Sequence, residues 1–151
     1  MTTTRDKRAR ATGRASGDTG RHVRLYYWLM GTAAWRDLDT VARAAYVELA
    51  ERYNGSNNGR VGLSVRTLAE ALHVSRATAG RALRSLEEHG FIVTTQRGAF
   101  SYKTRHASEY RLTEFADESG ALATKDFVRW QKNTGHIVRL HGPRSETAQA
   151  A

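Results

Sequence analysis

Residues 64–92 of the 151-residue chain read SVRTLAEALHVSRATAGRALRSLEEHGFI, and the reading of this stretch decides the fold. Ser64 is a helix-capping residue followed by Val65, Leu68, Ala69 and Leu72 at helical spacing, which predicts a helix over 65–72. His73-Val74 is a turn, and histidine tolerates the left-handed backbone that such a turn requires. Ser75 caps a further helix over 76–89, in which Ala79, Ala82, Leu83 and Leu86 fall at i, i+3, i+4 and i+7. Gly90 stands where a helix of that length must end. Ala69 and Ala79 are small enough for the two helices to cross closely. That packing leaves Arg76, Ala77, Gly80, Arg81 and Arg84 pointing outward, with Thr78 at the flank.

Working towards the C-terminus, Phe91 to Thr95 is a β-rich run and Ser108 to Thr113 (SEYRLT) alternates with Tyr110 and Leu112 on one side. A β-hairpin is predicted, with Gln96 to Ala107 as its basic, glycine-containing loop. Towards the N-terminus, Asp39 caps a helix from Thr40 to Tyr53, with Val41, Ala45, Leu49 and Tyr53 every four residues and Ala42 and Tyr46 widening the stripe. Asn54-Gly55-Ser56-Asn57-Asn58-Gly59 ends it, because Asn and Gly tolerate left-handed backbone. Arg60 to Leu63 reads as a short extended piece. His22 to Met30 fits both a strand, through Val23, Leu25, Tyr27 and Leu29, and a helix, through Val23, Tyr27 and Met30. Trp28, Trp35, Tyr26, Tyr27 and Tyr46 accompany apolar faces and are expected in the core rather than as base-stacking groups.

The fold class expected is therefore mainly α with a small antiparallel β-hairpin, a winged helix-turn-helix. The order is two short helices, a tight turn, then a hairpin. Four segments follow: a disordered basic arm over 1–21, the helical domain over 22–115, a C-terminal appendage over 116–141, and a disordered tail over 142–151. In the appendage Thr124 caps a helix predicted over Lys125–Lys132, with Ala123, Phe127 and Trp130 on one stripe. Those aromatics are expected to dock back on the domain, a homodimer contact being the alternative.

Charge supports the same organisation. Lys and Arg number 24 against 15 Asp and Glu, for a formal charge of +9. Residues 1–24 hold a net +5, residues 25–59 hold −1, residues 60–90 hold +2, residues 91–113 hold +3 and the remainder is neutral. A polyanionic partner is the first inference, although a GC-rich coding sequence also favours arginine. Cysteine is absent, which excludes disulfides and every thiolate site. The longest uncharged apolar stretch, Leu25 to Trp35, falls well short of the roughly 20 residues that cross a bilayer. A cytoplasmic protein without membrane partner is expected. Six scattered histidines form no ligating pair, and no phosphate loop, nucleophile elbow or carboxylate pair occurs. Neither catalysis, metal, cofactor nor small-molecule ligand is inferred.

Leu68 to Leu83 resembles the helix-turn-helix consensus of bacterial and phage regulators. Leu86-Glu87-Glu88-His89-Gly90-Phe91-Ile92 resembles the exit from recognition helix to wing in winged-helix proteins. Tyr53 to Gly59 followed by Leu63-Ser64 is similar to helix-turn-helix proteins of plasmids, phages and integrative elements, some of them replication initiators. One departure is His73, at a turn position usually held by glycine. The resemblance implies sequence-specific binding of double-stranded DNA by a transcriptional regulator of a mobile element. A replication-initiation or partition protein is the alternative, and a winged-helix protein-interaction module a second one, which would call for a neutral or acidic helix in place of Arg76, Arg81 and Arg84. An α-helix fits the major groove, where Arg donates two hydrogen bonds to guanine. The DNA-binding residues expected are Ser75, Arg76, Thr78, Gly80, Arg81 and Arg84 on the helix, with Arg97, Lys103 and Arg105 on the wing.

Overall fold

The computed structural model describes residues 21–98, 100, 101 and 104–132. The expected basic arm up to residue 20, the tail over 142–151 and Lys103 lie outside the described residues. The elements run α1 (Tyr27–Met30), α2 (Ala33–Asp37), α3 (Thr40–Arg52), β1 (Val61–Gly62), α4 (Val65–Leu72), α5 (Arg76–Glu88), β2 (Ile92–Gln96), β3 (Phe100–Ser101), β4 (Thr104–Arg105), β5 (Glu109–Leu112) and a 3₁₀ turn at Asp126–Arg129.

Capping chemistry starts each of the long helices. Asp39 Oδ1 accepts from Ala42 N at 2.7 Å, Ser64 Oγ from Thr67 N at 3.0 Å, and Ser75 Oγ from Thr78 N at 3.1 Å. In each case a side-chain oxygen takes one amide that the first turn leaves without a carbonyl. His73 ends α4 at φ 54°, in the left-handed region, so the tight turn survives without its usual glycine. Gly90, at φ 80°, turns the chain from α5 into β2.

β2 and β5 pair antiparallel, with Ile92 opposite Leu112 and Thr94 opposite Tyr110, and the register slips by one at Thr95. The extended piece before α4 does more than connect. As β1 it pairs antiparallel with β5, Val61 opposite Tyr110, making a three-stranded sheet in the order β1-β5-β2. The loop expected over 96–107 contains a second short pairing, Phe100 opposite Arg105. The architecture is a winged helix-turn-helix: α3, α4 and α5 against a small antiparallel sheet.

The core is built from Ala42, Ala45, Tyr46 and Leu49 of α3, Leu68 and Ala69 of α4, and Ala79, Ala82, Leu83 and Leu86 of α5. The sheet closes it with Val61, Ile92, Tyr110 and Leu112. Phe91 fills the centre, edge-on to both Trp35 and Tyr46 at centroid distances of 5.7 and 5.6 Å. Val65, expected on the packing face of α4, sits at its margin and is exposed.

Two expectations from the sequence are corrected. Tyr26, Tyr27 and Trp28 are not core residues: they are 40%, 91% and 45% exposed. The ambiguous segment resolves into a single helical turn whose one fully buried position is Leu29; Tyr27 and Trp28 turn towards solvent, while Met30 packs at the core margin. The appendage helix predicted over 125–132 is only the 3₁₀ turn 126–129. Lys125 precedes it at φ 47°, a left-handed residue that prevents an α-helical start, and Thr124 Oγ1 donates to Asp126 Oδ2 instead of capping a backbone amide. The two aromatics nevertheless dock in cis. Phe127 stacks on Phe91 at 4.7 Å and Trp130 on His89 at 4.4 Å.

Candidate nucleic-acid interface

Helix α5 divides sharply. Ala79, Ala82, Leu83 and Leu86 are buried, while Arg76, Ala77, Arg81 and Arg84 are exposed, and Thr78 and Gly80 are half-buried between the two faces. Burial of the alanine-leucine stripe against α3 and α4 therefore fixes the rotation of the helix and aims its arginines at solvent. Arg81 Nη2 donates to Thr78 Oγ1 at 3.3 Å, which lays the guanidinium along the helix face. Ser75 Oγ is committed to capping and shares a hydroxyl contact of 2.9 Å with Thr78 Oγ1.

The pattern of ion pairing is selective. Arg52, Arg60, Arg66 and Arg129 each pair with a carboxylate, at 2.5–2.8 Å. Among the described residues no carboxylate pairs with Arg76, Arg81, Arg84 or Arg97. These four lie on α5 and at the root of the wing; Arg21 and Arg43, elsewhere on the surface, likewise lack a carboxylate and donate to backbone carbonyls instead.

Helix and wing meet at a cleft of about 430 Å³ lined by Gly80, Arg84, Glu87, Arg97, Gly98 and Tyr110, among others. Glu87 Oε1 accepts from Thr94 N at 3.1 Å, tying the end of α5 to β2. Gly98 is held close to the returning strand: its amide donates to Ser108 Oγ at 3.0 Å, and a Cβ there would lie 2.8 Å from the His106 carbonyl oxygen. The wing can close only on glycine. Arg97 is exposed beside it, and Arg105 lies in β4.

The C-terminal end of α5 is latched a second time. His89 is 9% exposed; its Nδ1 donates to Ser85 O at 2.7 Å and its Nε2 lies 3.1 Å from Asp37 Oδ2. Lys132 Nζ reaches the other oxygen of Asp37 at 2.9 Å. Lys132 first and His89 second hold the Asp37 carboxyl below its ordinary value. Deeper in, Glu114 Oε2 accepts from the Tyr46 hydroxyl while Oε1 has no partner, and burial pushes the Glu114 carboxyl up. Neither His89 nor Glu114 carries a local sequence signal, because both are defined by partners far away along the chain.

Fold and face together define a winged helix-turn-helix domain. Residues 55–99, from the Asn/Gly loop through α4 and α5 to the root of the wing, match the model of the MarR family. No curated protein and no solved structure matches the chain.

Proposed function

We propose that this chain is a sequence-specific double-stranded DNA-binding transcription regulator, read out by α5 and steadied by the wing. The observation that carries the proposal is the face of α5: Arg76, Arg81 and Arg84 are exposed there and paired with no carboxylate among the described residues, while Ala79, Ala82, Leu83 and Leu86 are buried on the other side. The match of residues 55–99 to the MarR family supports it.

In this reading Arg81 and Arg84 reach guanine O6 and N7 in the major groove. Arg76, Thr78 and Ser75 sit by the helix start, where amides and the positive dipole end favour phosphate. Gly80 lets the duplex approach the helix axis, and Arg97, Lys103 and Arg105 meet the flanking backbone. A second copy of the chain would extend the site to two half-sites. The likeness of Tyr53–Gly59 and Leu63-Ser64 to proteins of plasmids, phages and integrative elements supports a regulator carried on a mobile element. Among the described residues, no helix is long and apolar enough to cross a membrane.

Selection of duplex sequences from a random library, followed by gel-shift competition, tests the reading. A defined site should emerge, and Arg81→Ala should abolish preference for it while circular dichroism stays unchanged. Full specificity in that variant would remove α5 as the reading element.

A further inference from the structure

The three aromatic residues displaced from the core form a surface of their own. Four near-parallel rings run outward from the centre of the molecule. Phe91 stacks on Phe127 (4.7 Å, 5°), Phe127 on Trp28 (5.8 Å, 22°), and Trp28 on Tyr26 (6.1 Å, 23°). The last ring borders a groove of about 240 Å³ that also holds Tyr53, Phe115, His22 and Arg24. Tyr53 and Phe115 are themselves stacked at 4.6 Å. The groove continues past His22 and Val23 into a larger cavity of about 740 Å³ between Arg21 and the end of α3. Tyr27, next to Tyr26 in the chain, is 91% exposed.

Cations are arranged along this aromatic surface. Lys125 Nζ lies 4.9 Å over the Trp28 ring, Arg24 Nε donates to His22 Nε2 at 2.9 Å, and Arg21 Nη2 donates to the Glu51 carbonyl at 2.6 Å. Two carboxylates are nearby: Glu51 lines the larger cavity, and Asp126 is paired with Arg129. The balance at the aromatic end is positive.

Tyr26, the outer ring of the stack, and Tyr27 after it carry solvent-exposed rings among basic side chains, which is what an unpaired nucleic-acid strand requires. Its bases stack on aromatic faces and its phosphates track the cations. A duplex cannot use such rings, because its bases are already stacked on each other. We infer that the groove bordered by Arg21, His22, Arg24, Tyr26, Tyr53 and Phe115, with the exposed Tyr27 next in the chain, is a second nucleic-acid site, one that takes single-stranded DNA. The choice of DNA rests on the duplex reading above, since none of the α4 or α5 residues of that reading lines this groove. The molecule then holds duplex on one face and an unpaired strand on another, as a protein working where a duplex has opened must do.

The test uses the full chain and a fluorescently labelled, mixed-sequence 15-nucleotide DNA strand, read by anisotropy. Tyr27→Ala, Tyr26→Ala and Arg24→Ala should each weaken binding about tenfold or more. Tyr27 is almost fully exposed, so its loss cannot unfold the chain. Trp28, the one tryptophan well exposed to solvent, should be quenched by the strand, and Trp28→Phe should remove that signal. Arg81→Ala should leave strand binding intact, and Tyr27→Ala should leave duplex binding intact, so this inference and the duplex reading fail separately. Unchanged affinity in the three variants would overturn the inference. So would tighter binding of the RNA strand of the same sequence, or a homodimer in sedimentation that Tyr27→Ala dissociates.

Discussion

Asn58 makes more side-chain hydrogen bonds to the backbone than its neighbours in the loop after α3. It is 1% exposed; its Nδ2 donates to the carbonyls of Leu112, Phe115 and Ala116 at 2.9–3.1 Å, and its Oδ1 accepts from Leu112 N at 2.7 Å. One amide thereby fastens the loop after α3 to the end of β5. Asn58→Ala should cost about 2–4 kcal/mol in urea unfolding, because it strands buried backbone groups. Asn58→Asp should cost at least as much, since it sets a carboxylate oxygen against those carbonyls. Glu114 titrates in the opposite sense to a salt-bridged acid. Burial favours its protonated form in the fold, so the carboxyl ionises more readily in the unfolded chain and weighs against folding at neutral pH. Glu114→Gln should therefore stabilise the protein at pH 7, an advantage that shrinks as pH falls through the raised carboxyl value towards the ordinary one. Thermal unfolding across that range checks the sign. Neither residue was legible in sequence. Asn54 to Gly59 reads as turn-forming because the residues are local turn formers, but which of three asparagines turns inward depends on where β5 lies. The arginines of α5 were legible because a helix face is set by spacing alone.

At the scale of elements, the three capped helices could be read because both the capping oxygen and the apolar period are local. Partners that are distant in sequence were less visible: β1 is two residues long and acquires meaning only from β5, and the one-turn α1 carries no period at all. The turn between α4 and α5 is the one place where the local rule was bent. His73 is exposed and left-handed, so His73→Gly should gain about 0.5–1 kcal/mol by removing Cβ strain, read as a higher denaturation midpoint. Gly80→Ala separates stability from function. A Cβ there would meet Val65 Cγ1 at 3.9 Å, an ordinary contact, so better helix propensity should stabilise the protein by about 0.5–1 kcal/mol. Duplex affinity should fall at the same time if the bare backbone is where DNA approaches closest.

For the whole molecule, the +9 charge has a measurable signature. The logarithm of the duplex association constant should fall linearly with the logarithm of salt concentration, with a slope of about −0.9 per phosphate neutralised. Arg97→Ala should flatten that slope without relaxing sequence preference. Charge could be counted from the sequence, but which arginines are neutralised required the ion pairs of Arg52, Arg60, Arg66 and Arg129 to be seen. The C-terminal strap makes a comparable contribution to stability. Phe127 and Trp130 together bury apolar surface worth about 3–6 kcal/mol, against about 5–15 kcal/mol for a typical domain. A fragment ending at Phe115 should therefore unfold at markedly lower temperature than the full chain.

The strap also sets an order of events during synthesis. Helices α3, α4 and α5 and the sheet all precede residue 127 in the chain, yet the ring of Phe127 lies flat on that of Phe91 at their centre. A nascent chain thus carries helix α5 complete but unlatched, with the end at His89 awaiting Trp130 and Asp37 awaiting Lys132. The exposed face of α5 is settled last, by residues at its far side.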